Sequence, residues 1–278
     1  MTLEISASKL CKARLCGKWA YPTGKAGGWR SPSSNTTKAI LDGNLRHAVM
    51  EFYLKSVVMK NLLLDKEEVL EMLEDDKINA LISFLEENPE KYPSELKIES
   101  QRMANRLANV VGQLSAALAQ SFGKLVSAYS ELKIGGKSIQ LNPSFVLNHG
   151  EVDAIFVYEN NGTRSIIIVD WKRNLGDGAE EYYTSQLFTY ARCLVERPDL
   201  IDLHDITAEE IFVMLVEIGN NENLEFNRII KRYNRKKLVG ILDSALKNIE
   251  TTEPQAGGHC SSRCLHAFNF KNPCRAFT

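Results

Sequence analysis

The sequence predicts an α/β fold: a mixed central sheet flanked by helices and carrying a mostly helical, acidic insertion. Short runs rich in Val, Ile and Phe, among them SFVLNHGEVDAIFVY and RSIIIVDWK, stand between turn residues and read as strands. Segments with apolar residues at helical spacing lie before, between and after them. Acidic side chains crowd into residues 65–99, twelve against four lysines. The rest of the chain is therefore net basic, although 34 Lys+Arg face 35 Asp+Glu over all 278 residues. An apolar share of 44% with balanced charge excludes disorder as the dominant state. No window approaches 18 consecutive apolar residues, so no membrane-crossing helix is expected. The opening MTLEISASKLCKARLC lacks the apolar core and cleavage site of a secretory signal. A soluble, cytoplasmic protein is the expectation.

In chain order, residues 1–37 form an amino-terminal segment that ends in the loop-like YPTGKAGGWRSPSSNTT. Helical spacing runs from about Lys38 to Leu64 and from about Lys66 to Glu87, where ENPEKYP interrupts it. A long helix is expected from about Glu99 to Tyr129, with Leu107, Val110, Val111, Leu114, Leu118 and Leu125 near one stripe. Three strand-like runs follow, LKIGGKSIQL and the two quoted above, and Asn160–Gly162 signals a hairpin between the last pair. A helix from about Ala179 to Glu196, a buried strand at Ile211–Ile218 and a helix from about Asn234 to Ile249 complete a core over 38–252. The insertion occupies about 60–130, and 253–278 is a cysteine-rich tail. Six of the ten positions from Arg228 to Lys237 are basic, either a solvated helix face or a strip that contacts phosphates. The six cysteines are Cys11, Cys16, Cys193, Cys260, Cys264 and Cys274. In a large cytoplasmic chain metal ligation explains such a grouping better than a disulfide framework; Cys193, on a helix beside Leu194, reads as a buried apolar residue.

Charges at the end of an apolar strand need an explanation, because desolvating them is costly unless they are paired or bind a metal. Asp170 and Lys172 close IIIVDWK, and strand alternation puts them on one face. Asp153 lies in GEVDAIFV, one hairpin upstream, where pairing would bring its carboxylate toward Asp170. A plain salt bridge accounts for an Asp-x-Lys tripeptide, but two approaching carboxylates favour a divalent cation between them. Phosphodiester hydrolysis uses that arrangement: Mg²⁺ held by carboxylates polarises a phosphoryl oxygen, and a lysine orients water or stabilises developing charge. His47 and Glu51 share a helix face at i, i+4, as do Gln186 and Tyr190. Each pair has an ordinary structural reading. The imidazole could also add a nitrogen ligand suited to Mn²⁺, and the amide and hydroxyl could position the lysine or a DNA backbone.

The ordered set Gly43-x3-His47-x3-Glu51, Gly150-x2-Asp153, Asp170-Trp171-Lys172 and Gln186-x3-Tyr190 resembles the RecB-type nucleases of the PD-(D/E)xK superfamily over about residues 38–195. The resemblance implies a restriction-endonuclease-like core in which His47, Asp153 and Asp170 hold Mg²⁺ or Mn²⁺. Lys172 would assist the attacking water, Gln186 and Tyr190 would support lysine and substrate, and Glu51 would pack nearby or brace a ligand. It further resembles the iron–sulfur branch, most of all the CRISPR-associated exonucleases. There Cys16, Cys260, Cys264 and Cys274 would ligate a [4Fe–4S] cluster that ties the chain ends together, with four-thiolate Zn²⁺ as the rival. The spacing C-x3-C-x9-C is looser than the family's usual carboxy-terminal run. The implied activity is a metal-dependent deoxyribonuclease, an exonuclease on single-stranded DNA ends, in repair, processing or CRISPR adaptation. The alternatives are an endonuclease and a non-catalytic DNA-binding subunit. With no G-x4-G-K-[ST] loop, unwinding would fall to a partner helicase.

Overall fold

A computed structural model of the protein describes residues 3–15, 46–47, 50–51, 54, 110, 113–172, 175, 179–218 and 228–250. In order, its elements are β1 (Leu3–Ser6), α1 (Ala7–Leu15), α2 (residues 113–122), β2 (Lys124–Asn142), β3 (Phe145–Asn160) and β4 (Thr163–Lys172). Then come α3 (Ala179–Glu196), β5 (Ile211–Glu217), β6 (Arg228–Arg232) and α4 (Arg235–Glu250). The strands form one mixed sheet.

Burial explains the strand sequences. From Ile166 to Trp171 every residue of β4 is buried, which requires cover on both faces and hence a continuous apolar run rather than alternation. β3 and β4 pair antiparallel through Asn161 (φ 50°) and Gly162 (φ 75°). Two successive left-handed residues make a turn whose twist suits the strands it joins. β5 lies parallel to β4, reached through α3, and β6 runs antiparallel on its outer side. Along β6, Arg228, Ile230 and Arg232 are exposed and alternate with half-buried Ile229 and Lys231. Helices α1, α3 and α4 cover one face, where Leu10, Ile155, Ile168, Leu187, Leu215 and Ile241 share a core. On the other face Phe122, at the end of α2, packs against Phe212 at a centroid distance of 4.8 Å. Asn248 of α4 donates its side-chain amide to the carbonyls of Ala13 and Arg14 at 3.2 and 2.6 Å, satisfying end groups of α1 that the helix itself leaves open.

The position of the site follows from how β3 is shared. β2 pairs along almost its whole length on one side. On the other, β1 takes residues 145–149 in parallel and β4 takes 154–160 antiparallel. Between these two partners a short stretch, Gly150–Asp153, has no ladder partner on that side among the described residues.

Two expectations change. The helix expected from about Glu99 to Tyr129 is helical over 113–122 and stops at Gly123. There φ is 92°, the N–H caps the Ala119 carbonyl at 2.9 Å, and a Cβ would sit 2.4 Å from the Glu159 oxygen. Only glycine fits this turn, so Leu125 belongs to β2 and not to a helical stripe. The basic run from Arg228 is not one helix face: Arg228–Arg232 is strand, and α4 starts at Arg235. The chain's first strand and helix, β1 and α1, had no reading in the sequence. Cys11 and Cys193 are free and buried, the latter as expected; burial first, then the Asp170 charge, pushes the Cys11 thiol up to about 12. Cys16, Cys260, Cys264 and Cys274, the expected helix at 66–87 and most of the insertion lie outside the described residues. Among the described residues no helix is long and apolar enough to cross a membrane.

Candidate active site

The site forms where β4 parts from β3. The last ladder pair is Ala154 with Val169. One residue on, the Asp153 side chain takes over from the backbone: its Oδ2 accepts the Trp171 N–H at 2.7 Å. That bond satisfies a strand donor and fixes the carboxylate. Trp171 itself is buried, and strand alternation turns its ring to the sheet face opposite Asp170 and Lys172.

Asp170 and Lys172 share their face as alternation requires. The Lys172 Nζ lies 2.6 Å from Asp170 Oδ2 and 4.5 Å above the Tyr183 ring of α3, a cation–π contact. Burial alone would lower the lysine's pKa, but the charges of Asp170 and Asp153 outweigh it and raise the value. Lys172 is therefore an ammonium, a donor and a positive charge rather than a base. Asp170 is only 2% exposed. The Lys172 ammonium is thus the charge partner of this buried carboxylate.

His47 Nδ1 stands 3.7 Å from Asp153 Oδ2. Burial first, then the Lys172 charge, lowers the imidazole pKa, which keeps the ring neutral and able to ligate. The neighbouring Arg46 is buried and donates to the Ile218 carbonyl at 2.5 Å, while the Ile218 N–H bonds the Lys172 carbonyl at 2.7 Å. The end of β5 thus ties the helix bearing His47 to the strand bearing Lys172. Glu51 is half-buried one turn beyond His47.

A further carboxylate comes from β2. Ser130 pairs with Ala154 and Leu132 with Val152, which sets Glu131 opposite Asp153. One donor atom each from His47, Glu131 and Asp153 lie within 4.8 Å of one another. Burial, the Asp170 charge and, less strongly, Glu131 raise the Asp153 pKa well above the usual carboxylate range, against the pull of Lys172 and the Trp171 N–H. Such crowding favours a divalent cation, and the donor types fit one: a neutral imidazole nitrogen and carboxylate oxygens.

On α3, the Gln186 amide donates to the Tyr190 hydroxyl at 3.1 Å. Burial, then the Asp170 charge, raises the Tyr190 pKa, so the phenol stays protonated. Its ring lies against Gly150, where an added Cβ would come 2.8 Å from Cε1. The glycine before Asp153 thus makes room for the tyrosine. A recess of about 400 Å³ opens beside them, lined by Ser6, Lys133, His149, Glu151 and Tyr190 among others.

The structure therefore brings His47 to Asp153, Asp170 to Lys172, and Gln186 to Tyr190. Asp170 stands next to the compact His47–Glu131–Asp153 set without belonging to it. Sequence reasoning missed Glu131, Tyr183 and Arg46. Glu131 sits in a stretch with Ser127, Ser130 and Lys133, and only the pairing register singles it out. Tyr183, three residues before Gln186, could have been found by helical spacing.

A family model for the PD-(D/E)XK nuclease superfamily matches residues 4–267. No curated protein matches the chain significantly. Among solved structures, that of SSO0001 is similar at 16% identity, covering 83% of this chain and 96% of its own, with a TM-score of 0.31.

Proposed function

The chain belongs to the PD-(D/E)XK nuclease superfamily, and from that premise we propose that it is a RecB-type, metal-dependent deoxyribonuclease that degrades DNA from single-stranded ends. The observation that carries the reading is the meeting of Asp153, Asp170, Lys172 and His47 at the one place where β4 leaves β3. His47 and Asp153 would hold the cation, with Asp170 beside them as the further carboxylate that the resemblance implies. Mg²⁺ or Mn²⁺ bound there would polarise a phosphoryl oxygen and lower the pKa of the attacking water. Lys172, kept charged by Asp170 and steadied on Tyr183, donates to that water and stabilises negative charge as it develops on the phosphate. Tyr190, its hydroxyl oriented by Gln186, donates to the DNA backbone in the neighbouring recess.

The test compares the wild type with Asp170→Asn on end-labelled linear and on circular single-stranded DNA in Mn²⁺. Loss of a buried ligand worth several kcal/mol corresponds to a rate drop of about 10³-fold or more, with circular dichroism unchanged. Wild-type digestion by the variant would move the site elsewhere, and cutting of the circle would make the enzyme an endonuclease. The proposal extends to a [4Fe–4S] cluster on Cys16, Cys260, Cys264 and Cys274, supported by the sequence resemblance. A brown, iron-containing protein whose Cys264→Ser variant is colourless is the expected result. A zinc-bearing, colourless wild type would replace the cluster with zinc.

A further inference from the structure

We propose that Glu131 is a ligand of the divalent cation, completing the site from β2, a strand that carries none of the family's motif residues. The proposal rests on the metal-dependent reading above.

The geometry is that of a ligand. Oxygen and nitrogen donors held at about 2.0–2.6 Å from one cation stand at most about 4–5 Å from each other. The donors of His47, Glu131 and Asp153 meet that limit, and no other group of three or more does so among the described residues. Beside this trio lies the buried carboxylate of Asp170, its Oδ2 2.6 Å from the Lys172 ammonium. Glu131 and Asp170 flank Asp153 from the two strands adjacent to β3. A cation held by His47, Glu131 and Asp153 would still have room in an octahedral shell for water and a substrate oxygen.

The backbone agrees. Glu131 has φ 46° inside a strand, with ladder pairs on both sides. A residue with a Cβ adopts that conformation only at a cost, and such outliers persist where the surroundings over-determine them. No turn requires it here.

Glu131→Gln, Glu131→Gly and Asp153→Asn separate the possibilities, each followed by Mn²⁺ titration (calorimetry or electron paramagnetic resonance) and by melting with and without Mn²⁺. The expected result is a loss of Mn²⁺ affinity of at least ~10-fold in both Glu131 variants and a smaller metal-dependent rise in Tm. Without metal, Glu131→Gly should melt higher than Glu131→Gln, because glycine accepts the left-handed φ. Wild-type Mn²⁺ affinity in both variants would overturn the assignment and leave the nuclease reading standing. Mn²⁺ affinity unaffected by Asp153→Asn would instead remove the metal site on which both depend.

Discussion

β4 carries charge at both ends, and the two ends treat it differently. At the start, Arg164 donates to Glu210 Oε1 at 2.8 Å and to the Asp205 carbonyl at 2.7 Å. Glu210 uses its second oxygen to accept from the Thr207 N–H at 2.7 Å and the Thr207 hydroxyl at 2.9 Å. Every charge there has partners and reaches water. At the far end the carboxylates of Asp153, Asp170 and Glu131 crowd together around Lys172 and His47. The same strand thus closes one end as a self-sufficient polar clasp and gathers carboxylates around a buried lysine at the other. A buried ion pair is a poor source of net stability, and removing one partner is expensive. The far end is held in place by the packing of β4, not by its own charges.

The sharpest way to break the comparison is Lys172→Met. It strands Asp170 in the interior and should cost about 3 kcal/mol or more in urea unfolding, with most of the loss regained in the double variant with Asp170→Asn. A loss no greater than that of Arg164→Met would show the two ends to be alike. Next in size is Gly150→Ala. Its Cβ would meet Tyr190 at 2.8 Å, so the ring must shift, at about 1–3 kcal/mol and with slower digestion. Full activity in a stable variant would free Tyr190 from any part in the site.

The smallest effect belongs to the clasp. Burial would raise the Glu210 pKa, but Arg164 and Thr207 outweigh it and hold the value below the ordinary 4.5. The unfolded chain therefore binds the proton more readily, and the contribution is present above about 4.5 and lost as pH falls through the folded value. Glu210→Gln should flatten this part of the acid limb by less than ~1 kcal/mol. An acid limb unchanged by the substitution would remove the clasp from the comparison.

How much of this was legible depended on whether the signal was local. The buried run of β4, the turn at Asn161–Gly162 and the helix Ala179–Glu196 follow from neighbouring residues, and the structure has them where the sequence puts them. Asp153, Asp170 and Lys172 stood out because charge on an apolar strand violates the surrounding pattern. Glu131 did not, since among polar neighbours it gains meaning only from the register of β2 against β3. The end of α2 was misplaced because apolar spacing ran on past Gly123, whose turn is dictated by the close approach of Glu159. β6 was hidden for a similar reason: its basic residues continue without a break into α4.

The outermost strand of the sheet also has a consequence for the protein in bulk. Among the described residues no strand pairs with the outer side of β6, and such a border invites another chain to add to it. Here that border displays Arg228, Lys231 and Arg232 around an exposed Ile230. Two copies approaching side by side would bring like charges into register before a backbone bond could form. Fibril growth along this rim is thus discouraged, and neutralising those three cations is the change that would make concentrated solutions turbid.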